Sequence, residues 1–193
     1  MNIDEKYDLI TNSLRSGTVE DWEHLARQFP DFPDGLDCNE TDIADSWINN
    51  AIGCCSFECI RWMLSKGVNL HHKSPGGWFA LHNCIDRKLP DKYEVMQLLI
   101  NSGADINVGT ELKAMALNGW SPLHMAAARN DLEAIKALLD NGADTTLKTI
   151  IDDCCTAEQE AVRMNNSKAA ELIRTYTSNS HFAGERDCGS SPQ

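Results

Sequence analysis

The chain has 193 residues, 42% of them hydrophobic, with 17 Lys+Arg against 29 Asp+Glu and a formal net charge of -12. That length fits one domain or one short repeat array. The acidity argues against nucleic acid and anionic membrane surfaces, which both need cationic patches; a basic partner would gain association rate from the same field. Met1–Lys6 is polar and lacks an apolar signal core, and no run of 18 apolar residues occurs, so a cytoplasmic chain without a membrane span is expected.

In chain order, the same spacing of residues returns five times. With Asp8 as position zero, Ile10 stands at +2, Leu14 at +6, Glu20 at +12 and Trp22 at +14. With Ser46 as zero, Ile48, Ala51, Glu58 and Ile60 fall at +2, +5, +12 and +14, and Gly67 at +21. With Phe79 as zero, Leu81, His82 and Cys84 follow at +2, +3 and +5. Three extra residues around Leu89-Pro90-Asp91 precede Glu94, Met96 and Gly103. Pro90 suits a loop between helices, because it would break a helix interior. With Ser121 as zero, Pro122-Leu123-His124, Ala126-Ala127, Glu133, Leu138-Leu139 and Gly142 complete the pattern. Thr156 opens a last unit with Ala161, Ala169-Ala170 and Leu172-Ile173, but with Glu158 at the +2 position.

Each unit reads as two helices and a turn. Ser121 is expected to cap its first helix and Pro122 to stand at the first helical position. Thr18, Ser56 and Asp131 are expected to cap second helices, each with a Glu two residues on that faces the positive helix end. Gly67, Gly103 and Gly142 are expected to end second helices in the left-handed region.

The stretch from Ser121-Pro122-Leu123-His124 to Asn141-Gly142-Ala143-Asp144 resembles an ankyrin repeat almost position for position. The resemblance implies an all-α ankyrin-repeat solenoid of about five helix–turn–helix repeats with hairpin-like fingers. The repeats cover roughly 5–37, 42–72, 75–108, 117–147 and 152–177, and 178–193 is expected to be a flexible tail. Such a stack implies a non-enzymatic module that binds another protein, with no cofactor and a monomeric free state.

His82 and His124 share one repeat position, where the family implies a structural histidine that ties adjacent hairpin backbones together; His71-His72 is expected to be a solvated pair. Adjacent cysteines, as in Cys54-Cys55 and Cys154-Cys155, point apart on a helix and lack the usual C-x₂₋₄-C ligand spacing, so no metal site is expected. Cys59 and Cys84 read as small core residues, and Cys38, Cys155 and Cys188 as exposed thiols. No phosphate loop, nucleophile elbow or HExxH motif occurs.

The family geometry turns the finger and first-helix positions toward a partner. Trp78 and Trp120 at -1 are the leading candidates, since interface hot spots favour Trp and Arg. Positions +7 and +8 add Asp86 with Arg87, Arg129, and Arg163 with Met164. The fingers add Asp42, Asp45, Asp152 and Asp153. The longer connection at 108–118 adds Met115, either as core cover or as binding surface. Two binding roles follow: a small acidic inhibitor, immunity or antitoxin-like, of a basic enzyme, or an adaptor or effector-type scaffold. A metal-binding or enzymatic protein using the Cys and His set is the reading from a different class.

Overall fold

The computed structural model describes residues 3–37, 44–109, 119–149 and 154–184. Ten helices form among them: α1 (Ile3–Ser16), α2 (Val19–Gln28), α3 (Trp47–Cys54), α4 (Phe57–Ser65), α5 (Ala80–Asp86), α6 (Lys92–Asn101), α7 (Pro122–Ala128), α8 (Leu132–Asp140), α9 (Ala157–Arg163) and α10 (Ser167–Gly184). They make five pairs. The odd-numbered helices pack on one another in one layer and the even-numbered helices in a second.

The predicted zero points Ser46, Phe79, Ser121 and Thr156 are the N-caps of α3, α5, α7 and α9. Ser121 accepts from the His124 N–H and Pro122 occupies the first turn. Thr18, Ser56 and Asp131 cap α2, α4 and α8 by accepting from Asp21, Cys59 and Ala134. Each cap satisfies an amide that the helix itself leaves open. The first pair departs from the prediction, because Asp8 lies inside α1 and caps nothing. Asp4 and Glu5 stand in the first turn of α1, where acidic side chains favour an earlier start.

Second helices end at one recurring position. Gly67, Gly103 and Gly142 have φ of 75°, 90° and 89°. Open space surrounds a built Cβ at each of them, so the positive φ, not crowding, favours glycine. The next turn is fixed by a side chain: Asn69, Asp105 and Asp144 each accept from the amide two residues on. These turns also join across repeats, since Asp144 N–H donates to Asn107 Oδ1 at 2.9 Å.

One continuous apolar core runs through the stack. Ile48, Leu81 and Leu123 at +2 are buried, as are Ala51, Cys84, Ala126 and Ala161 at +5 and the α8 residues Ile135, Leu138 and Leu139. The small +5 residues permit close approach of neighbouring helices. At the amino-terminal end the core turns aromatic. Phe32 meets Trp47 at 6.1 Å and Trp62 at 5.8 Å between ring centroids, and Trp22 meets Trp62 at 5.6 Å. Glu23 accepts from Trp62 Nε1 at 2.9 Å and pairs with Lys66. The offsets alone gave no sign of this cluster, because its rings occupy different positions in different repeats.

At the other end, α10 has 18 residues, about twice the length of α4 or α8, and runs to Gly184 through the start of the predicted tail. Thr175, Thr177 and Ser178 hydroxyls donate to carbonyls four residues back. No proline interrupts Ser178–Gly184, so the helix propagates past the stack. Residues 185–193 lie outside the described residues.

Candidate functional site

The fingers are held by short hydrogen-bonded links. Leu36 bridges to Ser46 and Lys148 to Thr156 in antiparallel fashion. In the finger before α5, Ser74 N–H donates to Trp78 O at 2.8 Å, and Trp78 N–H donates to Ser74 Oγ at 2.9 Å. These contacts fix Trp78 one residue ahead of the Phe79 cap. Trp120 holds the equivalent place before Ser121. Both indoles are half-buried and pack against the core. Each therefore shows only part of a ring to solvent.

His82 and His124 fix the fingers from beneath. His82 Nδ1 accepts from Phe79 N–H at 3.4 Å, and Nε2 lies 3.0 Å from Trp120 O. His124 Nδ1 accepts from Ser121 N–H, and Nε2 lies 3.0 Å from Cys155 O. Trp120 and Cys155 are the -1 residues of the next repeats, so each histidine ties its own cap to the following finger. A ring whose Nδ1 accepts and whose Nε2 donates is the neutral tautomer. Burial lowers the His82 pKa to about 4 and also lowers that of His124. Both rings are inaccessible, which fits the structural role. The His71-His72 pair divides, with His71 exposed and His72 partly buried; His72 O lies 3.5 Å from Asn49 Nδ2.

Asp45 lies partly buried beside the α3 cap, where Oδ1 accepts from Ser46 N–H and Asn49 Nδ2. Burial raises its pKa, against the hydrogen bonds from Asn49 and Ser46. Asp42, Met115, Asp152 and Asp153 lie outside the described residues.

The first-helix ends separate into two kinds of arginine. Arg87, expected on the binding surface, is 2% exposed. Nη1 donates to Ile52 O at 2.6 Å and Nη2 to Cys55 O at 2.7 Å, while Asp91 accepts from Nε and Nη2 at 2.9 and 2.8 Å. The guanidinium spends four of its five N–H donors on these acceptors, and its burial keeps it from a partner. Arg87 is thus a buried strap between the second and third repeats, a correction to the predicted role. The Arg87 hydrogen bonds in turn hold the Asp91 carboxyl below its ordinary range.

Arg129 and Arg163 remain outside. The Arg129 side chain is 48% exposed and pairs with Asp86 of the preceding repeat at 2.9 Å. The Arg163 side chain is 52% exposed and pairs with the buried Glu160 at 2.6 Å. On either side of it Val162 and Met164 are 56% and 41% exposed. A second surface lies at the loop after α5, which carries the extra residues. Lys88, Tyr93, Arg129, Asn130 and Leu132 line a cleft of about 390 Å³ there, together with Ile85, Lys92, Asp131 and Glu133.

The cysteines differ from prediction in two places, at Cys155, expected exposed, and at the Cys54-Cys55 pair. Cys59 and Cys84 are buried, as expected of core residues, and Cys155 is partly buried. Cys54 and Cys55, however, converge with sulfurs 3.8 Å apart, because α3 stops at Cys54 and Cys55 continues extended. Cys38 and Cys188 lie outside the described residues. No group of three or more His, Cys, Asp or Glu with metal-holding geometry occurs among the described residues, and no helix among them is long and apolar enough to cross a membrane.

Paired helices in two layers, fingers tied from repeat to repeat by buried histidines, and exposed residues at the first-helix ends define a repeat protein of the solenoid class. Residues 92–181 match the family profile "Ankyrin repeats (3 copies)", so that part of the chain is similar to ankyrin repeats. The chain is 32% identical over 84 residues to protein phosphatase 1 regulatory subunit 27 of Mus musculus, covering 44% of this chain and 49% of that protein. It is 34% identical over 83 residues to RelA-associated inhibitor of Mus musculus, covering 43% of this chain and 9% of that protein. It is 32% identical over 93 residues to BCL-6 corepressor-like protein 1 of Homo sapiens, covering 48% of this chain and 5% of that protein. The chain spans less than half the length of each of these relatives.

Proposed function

We propose that this chain binds a partner protein, without catalysis, along the finger tips and the ends of α5, α7 and α9. The observation that carries this reading is the exposed run Val162-Arg163-Met164 with Arg129 of the preceding repeat. An arginine flanked by uncovered apolar side chains is the kind of centre around which interfaces form. Trp78 and Trp120 add half-covered rings at the fingers, with Asp45, Asp86, Asp42, Asp152, Asp153 and Met115 completing the proposed surface.

The partner is basic, since a charge of -12 favours encounter with a cationic surface. The chain acts as a monomeric cytoplasmic inhibitor that covers a basic protein. Relatives whose names describe a regulatory subunit and an inhibitor support this reading. A second reading, an adaptor, is favoured by the cleft beside Lys88 and Tyr93, which adjoins the first surface at Arg129 and offers a further place to dock.

Affinity capture tests both, comparing the parent with Trp78→Ala/Trp120→Ala and Arg163→Ala/Met164→Ala at low and high salt. One basic protein, retained by the parent at low salt and lost from both variants, is the expected result. A partner retained equally by all three proteins would remove the proposed surface. A second protein, lost from Lys88→Ala/Tyr93→Ala but retained by the other two variants, would favour the adaptor.

A further inference from the structure

The joint between the second and third repeats holds a thiol pair that the binding surface does not use. Cys55 leaves α3 with φ of -95° and ψ of 169°, which turns two neighbouring side chains toward each other. Their sulfurs stand 3.8 Å apart, with Cys54 exposed and Cys55 buried. The Arg15 guanidinium lies near enough to favour the Cys54 thiolate, and Cys54 donates to Asn50 O at 3.3 Å. Cys55 N–H donates to Ala51 O at 2.8 Å, and Cys55 O is one of the two backbone acceptors of Arg87. Sulfur chemistry at Cys55 therefore acts on the residue that anchors the buried strap.

We propose that Cys54 and Cys55 form a redox-responsive dithiol, which closes to a vicinal disulfide and loosens the Arg87 strap between the second and third repeats. The oxidant is a low-molecular-weight disulfide of the glutathione type. Cys54 loses its proton to solvent and attacks one sulfur of the oxidant. A mixed disulfide forms, the small disulfide bond breaks, and one thiolate leaves and is protonated. Cys55 then loses its proton and attacks Cys54 Sγ. The Cys54–Cys55 bond forms as the second small thiol leaves. The protein gives up two electrons and two protons, and the small disulfide receives both.

The order of attack follows from the surroundings. Burial raises the Cys54 thiol while Arg15 draws it back. The Cys55 thiol is raised by its hydrogen bond with Cys59 and by burial. The exposed Cys54, beside a cation, is the thiol that meets the oxidant. Closure contracts the sulfur separation from 3.8 Å to about 2.0 Å. The resulting eight-membered ring includes the Cys54–Cys55 peptide and shifts the Cys55 carbonyl away from Arg87.

The test equilibrates the full chain in glutathione buffers of graded potential, quenches with acid and maps linkages by peptide mass spectrometry. Hydrogen exchange is followed on the same samples. The parent is expected to gain an internal Cys54–Cys55 linkage, with faster exchange over 52–55 and 87–91. Cys55→Ala is expected to retain glutathione on Cys54, and Cys54→Ser to keep the exchange pattern of the reduced parent. Glutathione held on Cys54 of the parent without ring closure would overturn the proposal. So would a Cys55–Cys59 linkage in its place, or a Cys54–Cys55 linkage that leaves exchange unchanged. The parent's own linkage map decides the chemistry whatever the variants' stability.

Discussion

His82 Nε2 lies 3.0 Å from the carbonyl oxygen of Trp120, 38 residues further along the chain. The bond places the strongest finger candidate under the control of a buried ring in the preceding repeat. His124 makes the same contact to Cys155 at 3.0 Å. Protonation at Nδ1 keeps the Nε2–H bond to the finger carbonyl but removes the acceptor for the N–H of Phe79 in one repeat and of Ser121 in the next.

Acid should destabilise the chain through the caps that these two rings hold. The His82 pKa falls from the ordinary 6.5 to about 4 in the folded chain, so folding disfavours the proton. The stability held by the neutral ring is fully present above pH 6.5 and is lost as pH falls from 6.5 toward 4. At one unit per 1.36 kcal/mol the loss approaches about 3 kcal/mol. His124, lowered by the same burial, adds in the same direction. Urea unfolding at stepped pH checks this, and His82→Asn is expected to flatten the profile. An unchanged slope in that variant would place the acid sensitivity elsewhere.

Arg87 and Arg129 are consecutive repeats' answers to one position, and their removal should differ sharply. Arg87→Ala leaves Ile52 O, Cys55 O and the Asp91 carboxylate without their donor. Breaking a buried pair of this kind costs about 3–5 kcal/mol. Arg129→Ala breaks a largely solvated pair with Asp86 and is expected to cost under about 1 kcal/mol. Denaturant midpoints of the two variants give the comparison directly.

Core truncation at the fourth repeat should be severe. Leu138 is fully buried in α8, and Leu138→Ala is expected to cost about 2–5 kcal/mol, set by how far the neighbouring helices can close on the gap. Calorimetry reads the loss. Val162→Ala, at an exposed position, should change stability by no more than about 0.5 kcal/mol.

The aromatic end should behave as a unit. Phe32 touches both Trp47 and Trp62, so Phe32→Ala is expected to destabilise by about 3–5 kcal/mol. It should also speed hydrogen exchange in α1 to α3 more than in α7 to α10, because each repeat contacts only its neighbours. Uniform faster exchange along the whole chain would contradict that local coupling.

Sequence by itself determined most of the repeat: where four of the five pairs begin, where Gly67, Gly103 and Gly142 end second helices, and which face is buried. Those features repeat at fixed spacing and are satisfied within about 20 residues, so Ser46, Ser121 and Thr156 could be read as caps from position alone. Tertiary structure decided what is exposed. Arg87 and Arg129 occupy equivalent positions, yet one finds three partners in the preceding repeat and its own loop, and the other faces water with Asp86. Likewise Cys54 and Cys55 converge only because α3 stops between them. Local spacing fixes a residue's place in its repeat, whereas burial and partners come from the neighbouring repeat, whose contacts depend on how two units stack.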